Sequence, residues 1–154
     1  FQKNQVIEKI KNIKDKVNYV IIYFHGGEEY QYKPTDDIKR YAHNFVDYGA
    51  DFIIGCHPHV IQPIEVYQGK TIVYSLGSFL FGGTTTLLNR TIIFQLELEF
   101  DNKFNIIKQD NTIIPCYLYS SKNGYEKWQP DIITNYEEKQ KVIDFMNSLR
   151  STPD

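Results

Sequence analysis

Two short apolar runs, Tyr19–Phe24 and Asp51–Gly55, constrain this chain more than anything else in it. Each follows a stretch with helical periodicity, and a histidine stands close behind each. Residues 3–17 carry Val6, Ile10, Ile13 and Val17 at spacings of four, three and four, with lysines between. That is the pattern of an amphipathic helix. Pro34 and Thr35 open a second helical pattern, with Ile38, Tyr41, Ala42, Phe45 and Val46 on one face and Gly49 as its stop. Helix–strand–helix–strand order predicts a parallel strand pair in an α/β sheet. Continuous apolar strands of this type are expected to be covered on both faces. In such sheets ligands gather beyond the carboxyl ends of the strands, where His25, His57 and His59 fall.

The character changes after residue 63. Ile64–Tyr67, a Gln68-Gly69 turn and Thr71–Tyr74 predict a hairpin. Thr84-Thr85-Thr86 reads as a Gly-bounded loop. From Phe94 the segment Thr91–Phe100 alternates, with Phe94, Leu96, Leu98 and Phe100 facing one way. Asp101-Asn102 turns it into Phe104–Ile107, and Thr112–Tyr119 extends the sheet. Residues 122–131 read as loop. Asn135–Leu149 predicts a closing helix presenting Val142, Ile143, Phe145, Met146 and Leu149.

Bulk properties narrow the function classes. The 154 residues suffice for a single core. A net charge of -2 lacks the basic footprint of a nucleic-acid binder, so no nucleic-acid partner is expected. No apolar run approaches the ~18 residues of a membrane span. Cys56 and Cys116 are too few for a disulfide scaffold and are expected to be free thiols.

The chemistry concentrates in Gly55-Cys56-His57-Pro58-His59-Val60. In extended backbone the side chains of residues i and i+2 share a side, so His57 and His59 can grip one metal ion or one ion each of a close pair. Neutral imidazole accepts several divalent metals, so manganese, iron and zinc are not distinguished. His25, in Phe24-His25-Gly26-Gly27-Glu28-Glu29-Tyr30, is a third candidate ligand or a general acid. Glu29 reads as a carboxylate that orients a ligand histidine, or as a solvated acid. His43 reads as a surface residue in mid-helix. Cys56 reads as a small residue closing its strand, with a Cys56/His57/His59 zinc site as the lesser reading.

Taken in order, the segments 25–30, Tyr48-Gly49-Ala50-Asp51, 55–65 and Tyr74-Ser75-Leu76-Gly77-Ser78-Phe79 resemble the CapA family, associated with bacterial poly-γ-glutamate and capsule synthesis. The resemblance spans roughly residues 5–120. It implies an α/β (α+β) chain with a mixed sheet, forming the C-terminal half of a four-layer αββα sandwich like that of calcineurin-like metallophosphoesterases. Residues 1–154 would then be one incomplete domain. His25, His57 and His59 match the family's metal-binding histidines. Glu29 matches an acid of its first motif, which makes His25 and Glu29 the candidate catalytic pair.

The implied function is capsule synthesis through a metal-dependent hydrolase domain with a two-metal site. The alternative is a non-catalytic scaffold or polymer-handling subunit. The implied partners are the missing N-terminal half of the domain and capsule-synthesis membrane proteins. The implied location is outside the cytoplasm on a membrane anchor. By itself the chain would hold three histidines and no bridging carboxylate, so weak or no metal binding and no activity are expected. An exposed apolar edge would favour a homodimer. Gly26 stands where the family has Trp, Ser78 where Asn is common, and Gly82 where Asp is frequent.

Overall fold

The computed structural model describes residues 3–80, 89–118 and 130–149. Residues 84–86, Gly82 and most of the 122–131 segment therefore lie outside the described residues. Ten elements follow in the order α1 (Lys3–Ile13), β1 (Ile21–His25), α2 (Asp36–Asp47), β2 (Phe52–Cys56), β3 (Ile64–Tyr67), β4 (Lys70–Val73), β5 (Thr91–Phe100), β6 (Ile106–Tyr117), β7 (Asp131–Ile132) and α3 (Tyr136–Ser148). The chain is mixed α/β, as the resemblance implies. Among the described residues no helix is long and apolar enough to cross a membrane.

The first sheet has strand order β1-β2-β4-β3. β1 and β2 are parallel, with Ile21 opposite Phe52 and His25 opposite Cys56. β2 and β4 are also parallel, and β3 returns antiparallel as the other arm of the hairpin. Asp51 ties the starts of three strands together. Its carboxylate accepts from the Val20 amide at 2.9 Å and from Lys70 Nζ at 2.6 Å. Gly55 sits where β2 passes closest to the end of β4. A Cβ there would stand 2.2 Å from the Tyr74 carbonyl oxygen and 2.6 Å from the Phe24 ring, so only glycine fits.

One face of this sheet is covered by α1 and α2. Ile7, Ile10, Ala42, Phe45 and Val46 pack there against Phe24, Ile53, Ile72 and Tyr74. The other face carries the antiparallel sheet β5-β6-β7 together with α3, through Phe52, Ile61, Ile64, Val73, Ile92, Ile133, Val142 and Met146. The Phe52 and Phe94 rings join the two sheets at 5.4 Å. Two sheets stacked with helices outside the first agree with part of an αββα sandwich.

Several local readings change. α1 ends at Ile13 and not at residue 17; the chain turns before β1, and Val17 is 46% exposed. β1 is an edge strand, not one covered on both faces. Ile21 and Tyr23 are exposed while Phe24, facing the helices, is buried. Residues 106–117 form one strand and not two, since the polar stretch Lys108–Asn111 pairs with β5 through its backbone while its side chains reach solvent. Phe145 is half exposed and meets Tyr32 edge-on at 5.1 Å instead of joining the core. α3 starts as expected: the Asn135 side chain caps it by accepting from the Glu138 amide.

Candidate metal centre

β1 and β2 end side by side, which sets His25 beside Cys56 and starts the next two segments from one place. Residues 26–31 then run against 56–62 through three hydrogen bonds. The Gly26 amide donates to the Cys56 carbonyl at 3.0 Å and the Tyr30 amide to the Pro58 carbonyl at 2.8 Å. The side chain of Gln62, itself buried, donates to the Gln31 carbonyl at 2.7 Å. This lacing delivers Glu29 to the two histidines. Glu29, His57 and His59 each place one ligand atom within 4.8 Å of the others'. Glu29 is exposed and both histidines are half-buried, so the cluster opens to solvent.

The two rings do not meet by strand geometry. β2 stops at Cys56, and His57 and His59 have φ of 107° and 62°. Tyr30, across from them, has φ of 61°. Non-glycine residues at such angles are strained by about 1–3 kcal/mol each and cluster at functional sites. The turn, and not an extended i, i+2 pair, brings the His57 and His59 rings to 6.0 Å.

Hydrogen bonding assigns the ring nitrogens. His25 contacts Cys56 Sγ through Nδ1 at 3.1 Å and His57 Nδ1 through Nε2 at 3.0 Å, while Cys56 Sγ also contacts the Phe24 carbonyl at 3.5 Å. With both rings neutral, one arrangement satisfies all three contacts at once. The Cys56 thiol donates to the Phe24 carbonyl, His25 Nδ1–H donates to sulfur, and His57 Nδ1–H donates to His25 Nε2. His57 Nε2 is then left with its lone pair outward, as a metal ligand requires. His59 Nδ1 lies 3.0 Å from the hydroxyl of buried Ser78. Such outer partners fix ligand orientation.

The four expected site residues lie close together, three of them in the cluster and His25 in contact with His57. Glu29 places a carboxylate beside the two histidines, and His25 contacts His57 Nδ1. Cys56 is outside the cluster and turned to His25 and Phe24, against a Cys/His/His arrangement. The contact of Ser78 with His59 spans 19 residues, and no local sequence pattern displays it.

His43 is not a plain surface residue. Its Nε2 lies 2.9 Å from Glu65 Oε1, and its ring stacks on Tyr67 at 3.9 Å. The Tyr74 hydroxyl donates to Glu65 Oε2 at 2.5 Å. Burial, helped by the Glu65 carboxylate, holds the Tyr74 phenol well above its ordinary range.

Comparison with known proteins agrees with this frame. The profile of the family described as "Bacterial capsule synthesis protein PGA_cap" matches residues 1–83. The chain belongs to that family. It is 38% identical over 106 residues to the PGA biosynthesis protein CapA of Bacillus subtilis (strain 168), covering 68% of this chain and 28% of the relative. It is 37% identical over 141 residues to the capsule biosynthesis protein CapA of Bacillus anthracis, covering 89% of this chain and 31% of the relative. The matched region is thus under a third of either relative's length. The PGA_cap match contains every member of the cluster and Ser78.

Proposed function

We propose that this chain is part of a metal-dependent hydrolase domain that serves the synthesis of a capsule of poly-γ-glutamate type. The observation that carries the reading is the convergence of Glu29, His57 and His59. One carboxylate and two neutral imidazoles are a fitting donor set for a divalent ion of the manganese, iron or zinc kind. A bound ion would supply positive charge that polarises a phosphoryl or carbonyl oxygen. His57 and His59 would hold it through a ring nitrogen each, and Glu29 would balance its charge. His25, within proton-transfer distance of His57, keeps that ring in the ligand tautomer. The capsule role is supported by the names of the two relatives.

Residues 1–154 form, in this proposal, one part of a larger domain whose remainder completes a two-ion site. Capsule-synthesis membrane proteins are its proposed partners. A membrane anchor with the domain outside the cytoplasm rests on the family resemblance alone. The test is hydrolysis of a generic phosphodiester, with and without added metal, by the full-length protein that contains this segment. Metal-dependent turnover lost in His57→Ala/His59→Ala supports the reading. Full turnover in that variant, or in EDTA, rejects it.

A second reading, a polymer-handling subunit without chemistry, draws on the solvent exposure of Glu29 and on Ser78 in place of the family's common Asn. Capsule formation that survives the double histidine variant would favour it.

A further inference from the structure

The pocket between the start of α2 and the β3–β4 hairpin lies outside the metal cluster. It has a volume of about 240 Å³ and is lined by Lys33, Lys39, Pro63, Glu65, Tyr74 and Leu149 among others. Its lining is mainly apolar, from proline, aliphatic and aromatic side chains, with two lysines added. Neither Lys33 nor Lys39 has an acidic partner among the described residues, whereas Lys11, Lys70, Lys108 and Lys141 each pair with a carboxylate. The one acid in the lining is already engaged. Glu65 takes a hydrogen bond from Tyr74 on one oxygen and faces His43 on the other. What remains for a visitor is a mainly apolar lining with two lysines that have no acidic partner among the described residues.

The pocket is also joined to the metal cluster by short stretches of chain. The segment carrying Glu29 reaches Lys33 four residues later, and the one carrying His59 reaches Pro63 four residues later. Four residues span at most about 14 Å. A flexible polymer lying across the cluster can therefore also reach the pocket.

We propose that this pocket is a second binding site, one that takes a carboxylate on an aliphatic stem, as presented by successive units of an acidic amide-linked polymer. Lys33 and Lys39 receive the carboxylate and the apolar lining receives the stem. The polymer's identity rests on the capsule reading above; the pocket's preference for an apolar-stemmed anion does not.

The test is fluorescence anisotropy of a labelled short γ-linked oligoglutamate with the 154-residue protein, in EDTA at low and physiological ionic strength. Binding should be saturable in EDTA. It should weaken about tenfold in Lys33→Ala/Lys39→Ala, an order typical of losing specific charge contacts, with melting temperature unchanged. Lys9→Ala/Lys16→Ala, which removes the same charge from outside the pocket lining, should leave it within about twofold. Equal weakening by both lysine pairs would reduce the effect to net charge and overturn the proposal. So would the absence of saturable binding, or equally tight binding of a short polyphosphate, which has no aliphatic stem. Loss of binding only in His57→Ala/His59→Ala would move the polymer to the metal cluster and equally overturn the pocket. Because EDTA removes the metal, failure here is separate from failure of the hydrolase reading.

Discussion

Two constellations of histidine and glutamate lie in this fold, and they are built in opposite ways. His43, Glu65 and Tyr74 come from a helix and the β3–β4 hairpin with its following residue, in regular backbone; both Glu65 oxygens are engaged. His57, His59 and Glu29 come from two loops, with strained backbone at both histidines and at Tyr30. Their hydrogen bonds reach outward, to His25 and Ser78, while one ligand atom of each of the three lies within 4.8 Å of the others'. A closed network rigidifies; an open one held by strain and outer partners is poised to receive a ligand. The same residue types therefore separate into a brace and a centre by backbone and by where their bonds lead.

The comparison can be broken at its common support. Gly55→Val forces a side chain against the Tyr74 carbonyl and the Phe24 ring, beneath both constellations. It should destabilise the protein by about 3 kcal/mol or more, read as a fall in melting temperature of roughly 10 °C. A change under ~2 °C would mean β2 and β4 are not held this closely.

Removing the brace comes next. Glu65→Ala strands the buried Tyr74 hydroxyl and should cost about 2 kcal/mol in chemical denaturation, without altering metal affinity. The brace also has an alkaline signature. The Tyr74 phenol, ordinarily near 10.0, is raised in the folded state by burial and by Glu65. A raised folded value means its stabilisation is complete below pH 10 and is lost as pH rises above that. The stability of the native chain should fall more steeply above pH 10 than that of Tyr74→Phe; parallel curves would contradict the assignment.

At the centre, Ser78→Ala should weaken divalent-metal binding about tenfold, the scale of an outer-partner loss, while the melting temperature moves by only a few degrees. An unchanged affinity would show that Ser78 does not orient His59. The smallest effect should come from His57→Gly. It relieves the positive φ and should raise metal-free stability by about 1 kcal/mol, while weakening metal binding. A destabilised His57→Gly would show that the ring braces the fold, as His43 does.

Much of this was legible in the chain. The helix–strand–helix–strand periodicity located the first sheet, and the ordered motifs located the family, the three cluster residues and His25 beside them. The boundaries of α1 and β1 were not legible, since apolar spacing at Val17 and Ile21 does not say whether anything packs there. The bond between His43 and Glu65 was hidden for the same reason: a polar residue in mid-helix looks solvated until a hairpin is folded over it. The pairing of Ser78 with His59 and the entry of Glu29 depend on how two loops are laced. Local periodicity carries no record of that.

The central claim is that Glu29, His57 and His59 converge on one divalent ion. Its most direct test is a titration of the 154-residue protein with Co²⁺, followed by visible absorption. The account predicts weak but saturable binding of a single ion, weakened by Glu29→Gln and lost in His57→Ala/His59→Ala, with the folded state retained in both. Binding that is identical in all three proteins, or absent from the unaltered chain, would contradict it.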